Sequence, residues 1–209
     1  MKLIKIIAIG TTALIGYSTA AAESKFELTP WLGAATGGSF EEEISGAEID
    51  VGDTEFGALS LHLKSLQGGQ YELYYSRQHT ELETAGFLTS TPLVDLRVEY
   101  LQFGGTYIFE NDNDLEPYIL LTIGASRFSP SGPGLDDETF FSATGGGGLR
   151  FHLTKTLVLK LEARALFSLV NSDSDVFCAS NFGEGLCEIS VTGDSLLQWT
   201  ANAGIAFRF

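Results

Sequence analysis

A two-residue alternation that recurs along most of the chain limits what it can fold into. In "LLQWTANAGIAFRF" the residues Leu197, Trp199, Ala201, Ala203, Ile205, Phe207 and Phe209 form one set, and Gln198, Thr200, Asn202, Gly204, Ala206 and Arg208 form the other. A period of two belongs to a strand whose faces meet different surroundings. The pattern returns in "LVLKLEARALFSL", "SATGGGGLRFHL", "YILLTIGA", "LQFGGTYIF", "YELYYS", "ALSLHLK" and "KFELTPWLGAA", where Phe26, Leu28 and Leu32 are the apolar members. These eight segments predict an all-β fold, with no convincing helix among them. In one of them the phase slips: from Val94 to Tyr100 the apolar residues are even-numbered, and from Leu101 to Phe109 they are odd. A β-bulge near Tyr100 would restore the phase. Alternatively, the upper part of the strand stands clear of whatever the lower part packs against.

The connections alternate in length. Those at "SLQGGQ", "ENDNDLEP" and "TKT" are short, whereas those around 41–55, 80–93, 129–138 and 170–194 are long. In an up-and-down meander the short turns gather at one end and the long loops at the other, as in a membrane barrel. With eight strands both termini fall at the short-turn end, where the last strand pairs with the first. A strand closed in that way holds a terminus that would otherwise fray.

Alternation does not by itself say which face is inside. A soluble eight-stranded binding barrel would put the apolar set inward and cover its exterior with mixed charge. Here the second set is mostly Gly, Ala, Ser and Thr, a poor solvent surface but a good filling for a narrow lumen. The apolar set is therefore expected to face lipid, where hydrocarbon offers no hydrogen bonds and a sheet must close. The barrel-interior charges are expected to be Lys64, Arg97, Arg150, Lys160, Arg164 and Arg208, balanced by Glu27, Glu72, Glu99 and Glu162. Charges enclosed in this way must pair or reach water.

The N-terminal "MKLIKIIAIGTTALIGYSTAAAES" has Lys2 and Lys5, an apolar run, and Ala20 and Ala22 spaced as a cleavage site. It reads as a secretory signal peptide over 1–22, followed by one domain over 23–209. Nothing after it has ~20 consecutive apolar residues, as a spanning helix would. Without Lys2 and Lys5 the chain carries 10 basic against 27 acidic residues, a formal charge of −17. That balance argues against nucleic acid, whose phosphates need Lys and Arg. Cys178 and Cys187, in "CASNFGEGLC", most simply form a disulfide in an exported protein, with two free thiols as the alternative. No zinc set, metal site or cofactor motif is found.

With those features together, the chain resembles the small Gram-negative outer-membrane barrels of the outer-membrane protein A, X and W type. The resemblance covers the whole mature chain and is most specific at the C-terminal strand. There Ile205, Phe207 and the final Phe209 resemble the signal read by the barrel-assembly machinery. It implies the outer membrane as location, with its lipid and lipopolysaccharide as partners. Unlike full-length outer-membrane protein A, the chain stops at the barrel, so no periplasmic peptidoglycan-binding domain is expected. Some barrels of this type are lipid A-modifying enzymes, but "HLT" offers Thr154 where the deacylases have Ser, and no amphipathic helix precedes the barrel. His62 and His152 read as polar filling and His79 as a solvated residue, so no enzyme is expected.

The loops hold the most distinctive chemistry. "FEEEISGAEIDVGDTEF" carries Glu41, Glu42, Glu43, Glu48, Asp50, Asp53 and Glu55 with no base, and Asp136, Asp137 and Glu138 make a second cluster. They are either solvated acidic surface or, beside phosphate-rich lipopolysaccharide, bridged by divalent cations such as Ca²⁺ or Mg²⁺. The loop holding the cysteines is either a contact surface for a partner or a protease-resistant staple. The expected function is therefore a structural and surface-interaction role. A narrow ion or small-solute channel is the alternative, and removing Arg164 is then expected to raise conduction.

Overall fold

A computed structural model of the chain describes residues 25–37, 39–41, 48–51, 53–65, 69–84, 94–109, 115–131, 137–169, 178–179, 186–187 and 195–209. The segment 1–24, which holds the expected signal peptide, lies outside the described residues. Among the described residues twelve strands are formed: β1 Phe26–Thr36, β2 Ser39–Glu41, β3 Glu48–Val51, β4 Thr54–Lys64, β5 Gly69–Thr84, β6 Val94–Ile108, β7 Leu115–Pro130, β8 Glu138–His152, β9 Leu157–Leu169, β10 Cys178–Ala179, β11 Leu186–Cys187 and β12 Ser195–Arg208. No helix of the described residues is long and apolar enough to cross a membrane, which says nothing of a β-barrel.

Eight of the strands close into one antiparallel barrel in the order β1-β4-β5-β6-β7-β8-β9-β12. The seam is the pairing of β12 with β1, from Glu27↔Arg208 to Thr36↔Trp199. Phe209 completes it: its N–H donates to the Phe26 carbonyl at 3.0 Å, and its carbonyl accepts from the Phe26 N–H at 3.1 Å. The two rings stack with centroids 6.0 Å apart. A circuit through the register that leaves β1 at Glu27 returns ten residues further on, at the level of Gly37. For eight strands this stagger sets a tilt of about 40°.

The turns between β4 and β5, β6 and β7, and β8 and β9 are at the end with both termini. The long connections are at the other, and the strands reach further into them than the loop boundaries drawn from the sequence. β5 continues to Thr84, β7 to Pro130, and the first loop folds into the β2–β3 hairpin, whose β3 pairs with β5.

The apolar set faces out. Leu32, Leu101, Phe103, Leu121, Ile123, Trp199 and Phe207 are among its exposed members, while the alternate residues are buried in the lumen. The height of this belt is uneven. On β6 it runs from Phe109 to Leu101 and on β7 from Leu115 to Ile123, about 20 Å of axial height at that tilt. On β9 (Leu157–Leu169) and β12 (Leu197–Phe209) it reaches about 30 Å.

β6 has no bulge: Glu99, Tyr100 and Leu101 pair without interruption with Arg77, Ser76 and Tyr75 on one side and with Arg127, Ser126 and Ala125 on the other. The phase change has another origin. Leu96, Val98 and Tyr100 fill the lumen, and the outside at that height is polar. Arg97 and Glu99, expected inside, therefore lie on the outward set, where Tyr75 Oη donates to Glu99 Oε1 at 2.6 Å. Above the lipid belt the barrel behaves as a soluble one, apolar within and polar without.

Of the lumenal glycines, Gly33, Gly148 and Gly204 make room for aromatic rings, while Gly104, Gly124 and Gly146 lie against the backbone of the next strand. A Cβ on Gly148 would sit 2.7 Å from the Tyr118 ring, and one on Gly204 would sit 2.6 Å from the Trp31 ring.

Candidate functional site

The lumen gathers the buried chemistry of the chain, and the register sorts it into layers. At the short-turn mouth a polar vestibule of about 70 Å³ is lined by Lys64, Gln70, Glu116, Arg150 and Arg208, among others. Lys64 is exposed there and Arg208 is half-buried. Arg208 Nη1 lies 3.4 Å from His152 Nδ1, and His152 Nε2 lies 2.7 Å from Glu116 Oε2.

Deeper in, Arg150 Nη2 donates to Glu27 Oε2 at 2.9 Å, and Lys160 Nζ donates to Glu27 Oε1 at 3.2 Å. Lys160 also lies 5.2 Å from the centroids of the Trp31 and Tyr118 rings. Arg164 comes next. Its Nη2 donates to Glu72 Oε1 at 2.5 Å, its Nε donates to Glu162, and its guanidinium lies 3.8 Å above the Tyr74 ring. Tyr118 Oη and Asn202 Nδ2 complete the Glu162 carboxylate at 2.7 and 3.3 Å. Glu72, Arg150, Lys160, Glu162 and Arg164 are all buried, and their ion pairs form two adjacent groups, Arg150 and Lys160 on Glu27 and Arg164 on Glu72 and Glu162, which meet at Tyr118. Three cations meet three carboxylates, which is how a narrow lumen can hold charge at all.

The next layer is neutral. Gln102 Oε1 accepts from Thr122 and Thr144 at 3.1 and 2.8 Å, while its Nε2 donates to Ser142 at 3.1 Å. Gln198 Oε1 accepts from Tyr100 Oη at 2.9 Å and from Gln78 Nε2 at 3.2 Å. Toward the long-loop end the lumen becomes largely apolar: Phe56, Leu96, Val98, Phe128, Phe140, Leu166 and Leu196 are buried there, interspersed with Gln78, Thr80, Ser126 and Ser168. Phe128 and Phe140 meet edge to face at 5.6 Å.

Ser60, His62 and Glu72 stand in the order of a nucleophile–base–carboxylate triad, so their geometry has to be weighed. Ser60 Oγ lies 3.5 Å from His62 Nδ1, and His62 Nε2 lies 3.6 Å from Glu72 Oε1, both beyond good hydrogen bonding. Trp31 Nε1 donates to Ser60 Oγ at 2.9 Å, and Lys160 stands 3.4 Å from His62 Nε2. All three side chains are wholly buried. The arrangement fills the lumen and offers no approach to a substrate.

No family model matches the chain, and no curated protein does. Solved structures do. Neisserial surface protein A is similar with a TM-score of 0.58 at 13% identity, over 88% of this chain and 97% of that one. The outer membrane protein OprG from Pseudomonas aeruginosa is similar with a TM-score of 0.58 at 12% identity, over 89% and 96%. The fold is that of the small outer-membrane β-barrels. The outer membrane protein AlkL, solved in DMPC lipid bilayers, is similar with a TM-score of 0.53 at 12% identity, over 95% and 97%. The exposed apolar belt of the present barrel is the surface such a fold gives to lipid.

Trp31, Tyr74 and Tyr118 also fill the lumen, beyond the charges expected there; each sits on the set opposite its apolar neighbours Leu32, Tyr75 and Ile119, and that position is their signal in the sequence. Glu116 was hidden by the turn signal of "ENDNDLEP". Ile205, Phe207 and Phe209 lie outward and exposed at the short-turn end. The side chains of Cys178 and Cys187 and most of the acidic first loop are outside the described residues. The backbone of β10 and β11 pairs Cys178 directly opposite Cys187.

Proposed function

We propose that the protein is a non-conducting outer-membrane barrel with a structural and surface-interaction role, presenting its long acidic loops to the exterior. The observation that carries this reading is the double closure of the lumen, an ion-paired lower half and a tightly filled, largely apolar upper half. An ion in transit would have to displace one and shed its hydration in the other, a cost of several kcal/mol. The test is current through a planar bilayer containing the refolded protein, where silence is expected.

A narrow channel is the second reading. It draws support from Glu72 Oε2, Arg164 Nη1 and Asn202 Oδ1, buried atoms with no hydrogen-bond partner that a thread of water would satisfy. Removal of 1–22, assembly through Ile205, Phe207 and Phe209, and a Cys178–Cys187 bridge belong to the same proposal. Bridging of the acidic loops by Ca²⁺ or Mg²⁺ is an extension of it. Calorimetry on the folded barrel tests the bridging, and no heat at millimolar calcium would exclude it.

A further inference from the structure

We propose that Arg77, Arg97 and Arg127 form a site on the outer wall for the phosphate groups of outer-leaflet lipopolysaccharide. The inference rests on the outer-membrane reading above and adds the residues and the ligand chemistry. Its first support is where the chain keeps its bases. The connections 37–53, 85–93, 131–137 and 170–194 contain no Lys or Arg. Beyond the lumen and the short-turn end, these three arginines are the only basic residues of the mature chain other than His79. An end so rich in carboxylates would repel phosphate everywhere else.

Register brings the three together. Glu99 of β6 pairs with Arg77 of β5 on one side and with Arg127 of β7 on the other. Arg97, two residues before Glu99 on the same face, is therefore diagonal to both. Diagonal neighbours on a sheet face stand about 7–8 Å apart, within reach of long side chains. All three lie on the outward set above the apolar belt: Arg77 directly follows Tyr75 on that face, Arg97 stands beyond Glu99 from Leu101, and Arg127 stands beyond Ala125 from Ile123, the last exposed apolar residues of their strands. With acyl chains against that belt, a glycolipid's phosphates fall at the level of the guanidiniums.

Two of the carboxylates nearby are already engaged. Glu99 accepts from the Tyr75 hydroxyl at 2.6 Å, and Asp137 accepts from Arg127 at 2.5 Å. Asp95 is also outward on β6. Arg77 and Arg97 make no ion pair or hydrogen bond through their guanidiniums among the described residues, and Arg97 Nε is buried with no partner. Guanidinium is the side chain that matches phosphate with two parallel hydrogen bonds. Arg77 and Arg97 supply that fork, and Arg127 joins by exchanging Asp137 for the ligand.

The test uses the refolded mature chain in three vesicles: phosphatidylcholine alone, phosphatidylcholine with lipopolysaccharide, and phosphatidylcholine with lipopolysaccharide stripped of its lipid A phosphates. The readouts are the temperature at which the folded gel band is lost and the lipopolysaccharide retained on purification, each with and without EDTA. Lipopolysaccharide is expected to raise the unfolding temperature with EDTA present, and the stripped form is not. The variant carrying R77Q, R97Q and R127Q should match the parent in phosphatidylcholine alone and bind lipopolysaccharide about tenfold or more weakly, the scale of one lost charge-assisted hydrogen bond. Glu99→Gln, which removes the competing carboxylate, should bind more tightly.

The site is overturned if the triple variant keeps the rise, if stripped lipopolysaccharide gives the same rise, or if the parent shows none. Loss of the effect in EDTA also overturns it and assigns the contact to cation-bridged loop carboxylates. No folded band in any vesicle would overturn the membrane-barrel reading itself, and the site with it.

Discussion

Arg164 is wholly buried: Glu72 and Glu162 hold it from two sides and the Tyr74 ring lies beneath it. Replacing it with Met would leave two buried carboxylates short of a cation. The expected cost is about 3–5 kcal/mol in urea unfolding from vesicles. Gly204 is the opposite kind of position, where nothing may be added. Gly204→Val would drive a side chain into Trp31 and the Pro30 carbonyl, and overpacking of that kind costs about 1–3 kcal/mol by the same measurement. The sequence showed Glu72, Glu162 and Arg164 as lumenal because charges on the set opposite Leu and Phe have one plausible place. Trp31 and Tyr118 are harder to read, because an aromatic ring suits either face: their place opposite Leu32 and Ile119 is the one local sign, and the glycines that make room for them lie on other strands.

At the scale of a strand, β6 carries the main lesson. Its apolar residues change sides near Tyr100 because the surroundings invert where the barrel leaves the lipid, not because the backbone slips a residue. Both explanations fit the sequence equally, and only the paired register on β5 and β7 separates them. The inversion makes neighbouring positions respond oppositely. Val98→Asn would bury an amide beside Leu96 and Phe128 and should cost about 1–3 kcal/mol. Glu99→Gln, on the polar outside, should change stability by no more than about 0.5 kcal/mol in phosphatidylcholine. Comparing urea midpoints of the two variants checks this, and equal costs would favour a lipid-facing Glu99. For β10 and β11, the facing Cys178 and Cys187 lead to one expectation: alkylation of the unfolded protein without reductant should label neither cysteine.

The whole molecule combines two kinds of barrel in one set of strands. Toward the short turns it is a membrane barrel with a charged, paired lumen; toward the long loops the lumen is largely apolar, and on β5, β6 and β7 the outer wall turns polar. The alternation, the turn lengths and the lack of a soluble exterior made the closed barrel legible in the sequence. The layering was not, because the height of a side chain depends on the stagger of all eight strands, which no single segment records. The layering also revises what one substitution can do: Arg164→Ala opens the lower half and leaves Phe128, Phe140 and Leu196 across the upper one. The most direct measurement is single-channel conductance of the refolded protein in a planar bilayer, after a heat-modifiability gel has confirmed the folded barrel. A silent membrane, for the parent and for Arg164→Ala alike, is the predicted result. Discrete, reproducible openings of the parent protein would contradict the doubly closed lumen and make Arg150, Lys160, Glu162 and Arg164 the residues of a pore.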